Sequence, residues 1–308
     1  TYLIAGYPLH LVTLKKLGRR SYDLNDYALL TLLGIKGLWI WCAGIICRWP
    51  MATARGRKIV TSRRVRKTYL VHLVNFFFLT LMTSFFSNEY DAFSNSTTTA
   101  IHSVTSGNRL FEQYHDIYLS LYHLIFVIDT GIAIVGYSTA SRWLDNRTKS
   151  VDMTLYGWFV VLLCYPPMNT GFTDKFIGYG TPPTTQLITS EWALMLLMPL
   201  ILSCYLVYLW ATLALGFRFS NLTHRGLVAS GPYRYFRHPA YTTKNIAWWL
   251  DNTHVLTNFW SASSLLAWNW IYIQRGITEE HHLSRDPNYK GYQQKVRNRF
   301  IPFGNAKK

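Results

Sequence analysis

Long apolar segments, separated by short polar ones, constrain the fold of this chain more than any other feature. About 20 consecutive apolar residues are enough to cross a bilayer as an α-helix, and helices satisfy their own backbone polar groups in lipid. The candidate spans are Tyr27–Cys47, Tyr69–Ser87, Ile117–Tyr137, the shorter Met153–Pro166, Glu191–Phe217 and Ile246–Ile273. With helical hairpins allowed, the pattern predicts an all-α, polytopic membrane helical bundle of about six to eight transmembrane helices.

The composition agrees with a membrane protein. Half of the residues are hydrophobic and 15% are charged, whereas soluble domains average about 25% charged residues. The formal net charge of +16 would suggest a nucleic-acid partner in a soluble protein. Here the basic residues lie in short loops between apolar segments, where anionic lipid headgroups and the positive-inside rule explain them. We therefore expect membrane lipids, and no nucleic acid, as partners.

The distribution of basic residues predicts the orientation. Residues 48–68 carry eight Lys/Arg and no acidic residue, whereas residues 88–116 carry one Arg. The first loop is therefore expected on the cytoplasm-like side and the second on the opposite side. The same alternation places the segment Asn221–Asn245 and the C-terminus on the basic side. The chain is predicted to be a multi-pass protein of a bacterial inner membrane, the endoplasmic reticulum or the mitochondrial inner membrane.

Several ionisable residues lie within the predicted spans, among them Lys36, His72, His123 and Asp129. Such residues are costly in lipid and mark either helix–helix hydrogen bonds or a polar pathway. A pathway would make the chain a transporter or channel, which is one of three functional hypotheses. The four cysteines form no CxxC pair or Cys/His cluster, so no metal site is predicted.

The segment Asn221–Asn245 is polar and rich in turn-forming residues, and it carries several cations but no acidic residue. Pro239 disfavours helical geometry at His238, so the tripeptide Arg237-His238-Pro239 (the RHP loop) is expected outside a helix interior. The Arg237 guanidinium suits a carboxylate, and His238 titrates near neutral pH. The rings of Tyr233, Tyr235 and Tyr241 suit an adenine or a sulfonium.

A second polar segment begins near the end of the last apolar stretch. Asp251–His254 break that stretch and favour a helical hairpin. The hairpin is followed by a helix through Glu279 and Glu280, a break at Asp286-Pro287 and a short amphipathic helix from Asn288 to about Arg299. The two glutamates could bind ribose hydroxyls or an amine. Alternatively they pair with Arg297 or Arg299 while the RHP loop binds lipid phosphate.

Together these residues carry a family resemblance. GLVASGPYRYFRHPAY, a hydrophobic hairpin and then TEEHHL…DPNYKGYQQKVRNRFIP resemble the C-terminal signature of the isoprenylcysteine carboxyl methyltransferase and membrane phospholipid methyltransferase families, over about residues 215–303. The stretches FSNLTHRG…GPYRYFRHPAY…KNIAWWL and EEHHLSRDPNY especially resemble a group of longer bacterial polytopic relatives, which imply no substrate. The resemblance implies a methyltransferase-like core of helix, RHP loop, hairpin and polar tail. It divides the chain into an N-terminal transmembrane region of about four spans, 1–190, and a C-terminal domain, 191–308.

The resemblance also implies a cofactor and its contacts. S-adenosylmethionine would be bound on the cytosolic face, with the acceptor entering from the bilayer. The implied cofactor contacts are Tyr233, Arg237, His238, Pro239, Tyr241, Glu279 and Glu280, of which Arg237, His238 and Glu280 are also the predicted catalytic residues. Arg297 or Arg299 would lie near the acceptor or in salt bridges of the tail. The chain departs from the pattern at Thr243, where the family often has Gly.

The first functional hypothesis is therefore an integral-membrane, S-adenosylmethionine-dependent methyltransferase acting on a lipid-like or membrane-embedded acceptor. Methyl transfer from a sulfonium is an in-line displacement that depends on alignment and a desolvated pocket. A carboxylate acceptor needs no base, whereas an amine or phenol would need one, for which His238, Glu280 and Asp129 are candidates. The alternative is a non-catalytic protein that retains the fold as a subunit or lipid-binding scaffold of a larger membrane complex.

Overall fold

The structure, a computed structural model, describes residues 63–141, 143–169, 188 and 190–301. These residues are mostly helical, which confirms the all-α class. The elements, in chain order, are α1 (Arg63–Thr105), α2 (Leu110–Ser138), β1 (Ser150–Val151), α3 (Leu155–Leu162), α4 (Glu191–Leu215), β2 (Thr223–His224), α5 (Pro239–Asp251), α6 (Phe259–Leu283) and α7 (Pro287–Lys295). The predicted span Tyr27–Cys47, with Lys36, lies outside the described residues.

Three helices of the described part are long and apolar enough to cross a membrane. They comprise Arg66–Thr105, Leu110–Ser138 and Glu191–Arg218, and they support an integral-membrane protein. The predicted segment Met153–Pro166 instead contains the eight-residue helix α3, which at ~1.5 Å per residue is too short to span.

The prediction that residues 88–116 form a loop between the second and third spans was wrong. Most of residues 88–116 belong to helix, because α1 continues to Thr105 and α2 begins at Leu110. Hydroxyl groups that suggested a loop donate instead to carbonyls one turn earlier, as in Thr98 to Ser94 (2.9 Å). Polar side chains also pair between the two helices: Thr97 with Ser120 at 2.7 Å, and His123 with Glu89 at 2.8 Å.

Two hydrophobic clusters hold the helices together. In the first, Val74 and Phe78 of α1 are fully buried against Ala133 and Tyr137 of α2. In the second, residues of α2, α4 and α5 meet around Tyr205 of α4: Ile125, Ile201, Leu209 and Ala247. Burial of this apolar surface fixes α4 between the N-terminal helix pair and the C-terminal hairpin.

Helices α5 and α6 form an antiparallel pair. The break predicted at Asp251–His254 coincides with the end of α5 and the 3-10 turn Thr253–Thr257. Trp249 Nε1 of α5 donates to Asn269 Oδ1 of α6 at 3.1 Å, and the ring of Trp248 lies 5.2 Å from that of Tyr272. The pair therefore brings the C-terminal end of α6 back to the N-terminal end of α5.

A small antiparallel sheet attaches the segment after α2 to the loop before α5. Ser150 pairs with His224, and Val151 with Thr223. The Ser150 hydroxyl also lies 2.7 Å from Nε2 of His282 in α6. Three chain segments that are distant in sequence are thus joined beside the RHP loop.

The buried His282 should make stability depend on pH. Burial lowers the pKa of His282 from 6.5 to about 4. The negative charge of Asp152 opposes this shift, and the positive charge of Arg285 adds to it. The unfolded chain therefore takes up the proton first, and up to about 3 kcal/mol of stability should be lost as the pH falls from about 6.5 to about 4. Denaturant unfolding in detergent at several pH values measures this loss.

A substitution isolates the contribution of His282. His282→Gln keeps a hydrogen-bonding group but does not titrate, so its stability should fall less over this range. His281→Gln, at the exposed neighbouring position, should behave as wild type. Equal pH slopes in wild type and His282→Gln would contradict the expectation.

Candidate functional site

The RHP loop lies immediately before α5. His238 has φ −126° and ψ 58°, and Pro239 is the first residue of the helix, a position that suits proline because its missing N–H has no helical partner. A 3-10 turn, Gly231–Arg234, precedes the loop. Gly231 has φ +59°, and a Cβ there would lie 3.1 Å from that of Ala214, so this turn favours glycine.

The tail strap, Asn298–Phe300, binds the RHP loop. The backbone N–H of Arg237 donates to Asn298 O and that of His238 to Arg299 O, each at 3.0 Å. Thr242 Oγ1 donates to Phe300 O at 2.8 Å. The helix predicted to reach about Arg299 ends at Lys295, because the following carbonyls pair with the loop instead.

Glu280 is the centre of the ionic contacts. Its side chain is 3% exposed and accepts hydrogen bonds from Arg237 Nε at 2.8 Å, His238 Nε2 at 3.0 Å and Arg299 Nε at 3.0 Å. Arg237 donates a second bond to the carboxylate at 3.3 Å and a third to Val296 O at 3.1 Å. Three cationic or titratable side chains from the loop and the tail thus share one buried carboxylate.

These contacts keep Glu280 ionised. Burial by itself would raise the pKa of the carboxyl. Hydrogen bonds from His238 and Arg299, with the charge of Arg237, outweigh burial and lower the pKa from 4.5 to about 2. A carboxylate with so low a pKa, and with its lone pairs already used, is a poor proton acceptor at neutral pH.

Tyr241 and Glu279 form the neighbouring wall. The ring of His238 stacks on that of Tyr241, with centroids 5.3 Å apart and planes 5° apart. The Tyr241 hydroxyl donates to Glu279 Oε2 at 2.7 Å, and the same oxygen lies 4.0 Å from His238 Nδ1. Glu279 is 41% exposed, so its carboxylate can reach a ligand.

A cavity opens beside these residues. This loop cavity, between residues 212–241 and helices α6 and α7, encloses roughly 900 Å³ including its open mouth and the adjoining solvent. Of the predicted contacts, those that border it are Tyr233, Arg237, His238, Tyr241 and Glu279. Pro239 and Glu280 do not border it. A smaller side lobe of about 380 Å³ shares Asn221, Tyr241, Arg275 and Glu279 with it.

Comparison with known families covers this part of the chain. Residues 193–285 match the isoprenylcysteine carboxyl methyltransferase (ICMT) family. The match confirms the predicted resemblance and runs from α4 through α6, so it contains the RHP loop, the helical pair and both glutamates. It supports a membrane methyltransferase. A comparison with curated proteins finds no match.

Thr243 does not obstruct the cavity in this ICMT-family segment. It lies within α5, is buried, and donates to Pro239 O at 3.0 Å. It borders none of the cavities described here. Its side chain is therefore accommodated by helix packing, although the family often has Gly at this position.

Arg275 is a site residue that sequence reasoning missed. It is 5% exposed, borders both the loop cavity and the side lobe, and lies over the ring of Tyr241 at 5.0 Å. In the part of the chain that the structure describes, it pairs with no carboxylate; its guanidinium donates to Asn221 Oδ1 and to Tyr165 Oη. Its position four residues before Glu279, on the same helix face, was the available signal.

Two further cations, Arg225 within the segment Asn221–Asn245 and Arg218 just before it, turn inwards. Arg225 is buried, and its guanidinium donates to Gly136 O and to Asn75 Oδ1. Arg218 pairs with Asp145 and donates to Leu227 O. Neither guanidinium is arranged for a lipid headgroup, so lipid phosphate does not account for these two cations; the alternative in which the RHP loop binds lipid phosphate concerns other residues. The Glu280–Arg299 pair, in contrast, is one that the same interpretation predicted.

The polar residues of the spans have separate partners. His123 pairs with Glu89, whereas Asp129 accepts from Tyr208 Oη at 2.7 Å and Thr212 Oγ1 at 2.8 Å. His72 lies half-buried on α1. Within the described ranges, these contacts do not join the residues into a continuous polar path, and no group of His, Cys, Asp and Glu is suited to a metal ion.

Proposed function

We propose that this protein is an integral-membrane, S-adenosylmethionine-dependent methyltransferase that acts on a lipid-like or membrane-embedded acceptor. One observation carries the proposal. The RHP loop and the Glu279-Glu280 pair, about 40 residues apart, meet beside one cavity within the segment that matches the ICMT family. A buried cavity with convergent charged groups is the usual form of a small-molecule site.

The residues at the cavity fit the proposed cofactor. Aromatic rings for the adenine or the sulfonium come from Tyr233, Tyr241, Tyr289 and Tyr292. Arg275 and Glu279, one helical turn apart, offer a cation for the methionyl carboxylate and an anion for its ammonium. Bound there, the cofactor would supply a methyl group activated by the sulfonium charge. The protein's part is to align the acceptor and exclude water.

The cluster around Glu280 suggests distinct roles for the predicted catalytic residues. Arg237 borders the cavity, whereas Glu280 lies behind it and holds Arg237 and His238 in place. Because Nε2 of His238 lies 3.0 Å from the Glu280 carboxylate, we assign its proton to Nε2, which leaves Nδ1 as the basic nitrogen. Were the acceptor an amine or a phenol, Nδ1 of His238 would be the favoured base. Glu280 is too acidic, and Asp129 is engaged by Tyr208 and Thr212.

A second concave surface suits an apolar acceptor. This hairpin groove, between α5, α6 and the tail strap, encloses roughly 730 Å³ including its open mouth. Its walls are mainly apolar and aromatic: Ile246, Trp249, Tyr272, Ile273, Phe300 and Ile301. It shares Tyr241 with the loop cavity, so an apolar chain in the groove would place its polar end near the cofactor.

Calorimetric titration with S-adenosylmethionine tests the proposal. The wild type should show saturable binding, and His238→Ala should weaken it by roughly tenfold or more, since the variant removes both a ring contact and a charge-assisted hydrogen bond. His281→Ala, at an exposed position on the same helix as Glu280, is the control and should bind as wild type. No saturable binding by the wild type would overturn the function. Unchanged binding by His238→Ala would overturn the site.

A further inference from the structure

Asn221 is the centre of a buried hydrogen-bond cluster at the edge of the loop cavity. Its backbone N–H donates to Tyr137 Oη at 2.7 Å, and its side-chain Nδ2 donates to Tyr165 Oη at 3.1 Å. Its Oδ1 accepts from the Arg275 guanidinium, which also donates to Tyr165 Oη at 3.3 Å. Every polar group of the Asn221 side chain is therefore used.

The cluster determines the direction of Arg275. No carboxylate among the described residues fixes this guanidinium, so the amide of Asn221 and the hydroxyl of Tyr165 set its orientation. Three aromatic rings surround it at 5.0–5.5 Å, and they favour a cation without specifying where its N–H groups point. Directional hydrogen bonds supply that information.

Two members of the cluster lie outside the ICMT-family segment. Tyr137 belongs to α2, and Tyr165 follows α3, whereas the family match begins at residue 193. The ring of Tyr137 stacks on Phe78 of α1, with centroids 5.3 Å apart. The Arg225 guanidinium, which donates to Asn75 of α1, lies 5.6 Å from the same ring. Helices α1 and α2 are thus packed directly behind the cavity wall.

We propose that Tyr137 is a positioning residue for ligand binding: through Asn221 it orients Arg275 towards the loop cavity. Helices α1 and α2 then contribute to ligand binding as well as to the membrane-spanning region. The chemical class that Arg275 would bind is a carboxylate, such as that of the methionyl group. The proposal rests on the proposed function for the identity of the ligand, but not for the geometry of the cluster.

The test uses the full chain and a thermodynamic cycle. S-adenosylmethionine is titrated into the wild type, Tyr137→Phe, Arg275→Met and the double variant. Tyr137→Phe keeps the ring and removes only the hydroxyl, and it should weaken binding by roughly 3- to 10-fold. In the Arg275→Met background the same substitution should not weaken binding further, because the guanidinium that Tyr137 would position is no longer present. A role in stability alone would leave the two effects additive.

Tyr156→Phe is the matched control. It removes a tyrosine hydroxyl that donates to Gln274 at 3.1 Å, one residue before Arg275, from outside the cluster. Its affinity should equal that of the wild type. If Arg275→Met weakens binding but Tyr137→Phe does not, or if the two effects are additive, the positioning role is overturned while the proposed function stands.

Hydrogen–deuterium exchange tests the cluster without a ligand. Tyr137→Phe should speed exchange in peptides covering residues 219–226 and 272–280, and Tyr156→Phe should leave the first of these unchanged. If the wild type does not bind S-adenosylmethionine, the exchange rates still test whether Tyr137 holds the cluster in place. In that case the proposed function falls, and unchanged exchange in Tyr137→Phe would also overturn the positioning role.

Discussion

Glu280→Ala is expected to abolish measurable S-adenosylmethionine binding and to lower the free energy of unfolding by about 3–5 kcal/mol, the usual cost of removing one partner of a buried ion pair. The substitution leaves the buried Arg237 and His238 without their carboxylate and releases Arg299 of the tail strap. Calorimetry and denaturant unfolding in detergent measure the two effects.

The neighbouring Glu279→Ala is the control for this experiment. It removes an adjacent carboxylate of the same helix that is 41% exposed, so it should weaken ligand binding with little loss of stability. Similar unfolding free energies for the two alanine variants would contradict the central role of Glu280.

The pKa of Glu280 defines the pH range over which its carboxylate stabilises the folded protein. Because the pKa is lowered from 4.5 to about 2 in the folded protein, the stabilisation is fully present above about pH 4.5. It is lost as the pH falls towards about 2. The part of the stability difference between wild type and Glu280→Ala that depends on the ionised carboxylate should therefore shrink as the pH falls from about 4.5 towards about 2.

Arg275→Met is expected to weaken S-adenosylmethionine binding by roughly 10- to 100-fold, as charge-assisted hydrogen bonds to a ligand carboxylate are lost. Stability should fall only modestly, because methionine needs no compensation for a buried charge although Asn221 Oδ1 loses its donor. A fall in affinity much larger than the fall in stability separates a binding residue from a structural one. The measurements are the same calorimetric and unfolding titrations.

Two further variants make the Arg275 result interpretable. Arg285→Met, at an exposed position just beyond α6, should leave affinity unchanged. Arg275→Lys keeps the cation but not the planar fork, and its affinity should lie between those of wild type and Arg275→Met. Affinity at the wild-type level in Arg275→Met would show that this guanidinium does not contact the ligand.

Features that depend on neighbouring residues in the sequence were predictable. Pro239 restricts the backbone of His238, so the RHP loop was expected outside a helix interior, and it lies at the start of α5. The polar residues Asp251–His254 mark the end of α5. The paired motifs around the RHP loop and Glu279-Glu280 indicated the family, which residues 193–285 match.

Predictions from local sequence patterns were wrong where polar groups form hydrogen bonds with residues distant in the sequence. The Ser/Thr-rich stretch after Ser87 was predicted to be a loop, but it continues α1 because its hydroxyls bond to helix carbonyls and to α2. Arg225, one of the cations of the polar segment Asn221–Asn245, is buried against Gly136 and Asn75. A residue's own sequence position does not reveal such partners.

The sequence by itself determined that the chain is mainly helical and rich in apolar segments, where the RHP loop and the helical break lie, and which family the segment of about residues 215–303 resembles. These properties follow from chain stereochemistry and from the spacing of apolar residues, which act over a few positions. Only the tertiary structure decided that Glu280 binds Arg237, that Arg275 faces the cavity, and that Tyr137 of α2 supports it through Asn221, 84 residues away. Those pairings depend on how the helices pack, because an ionic or hydrogen-bonded contact forms only where packing brings its two groups within about 3 Å.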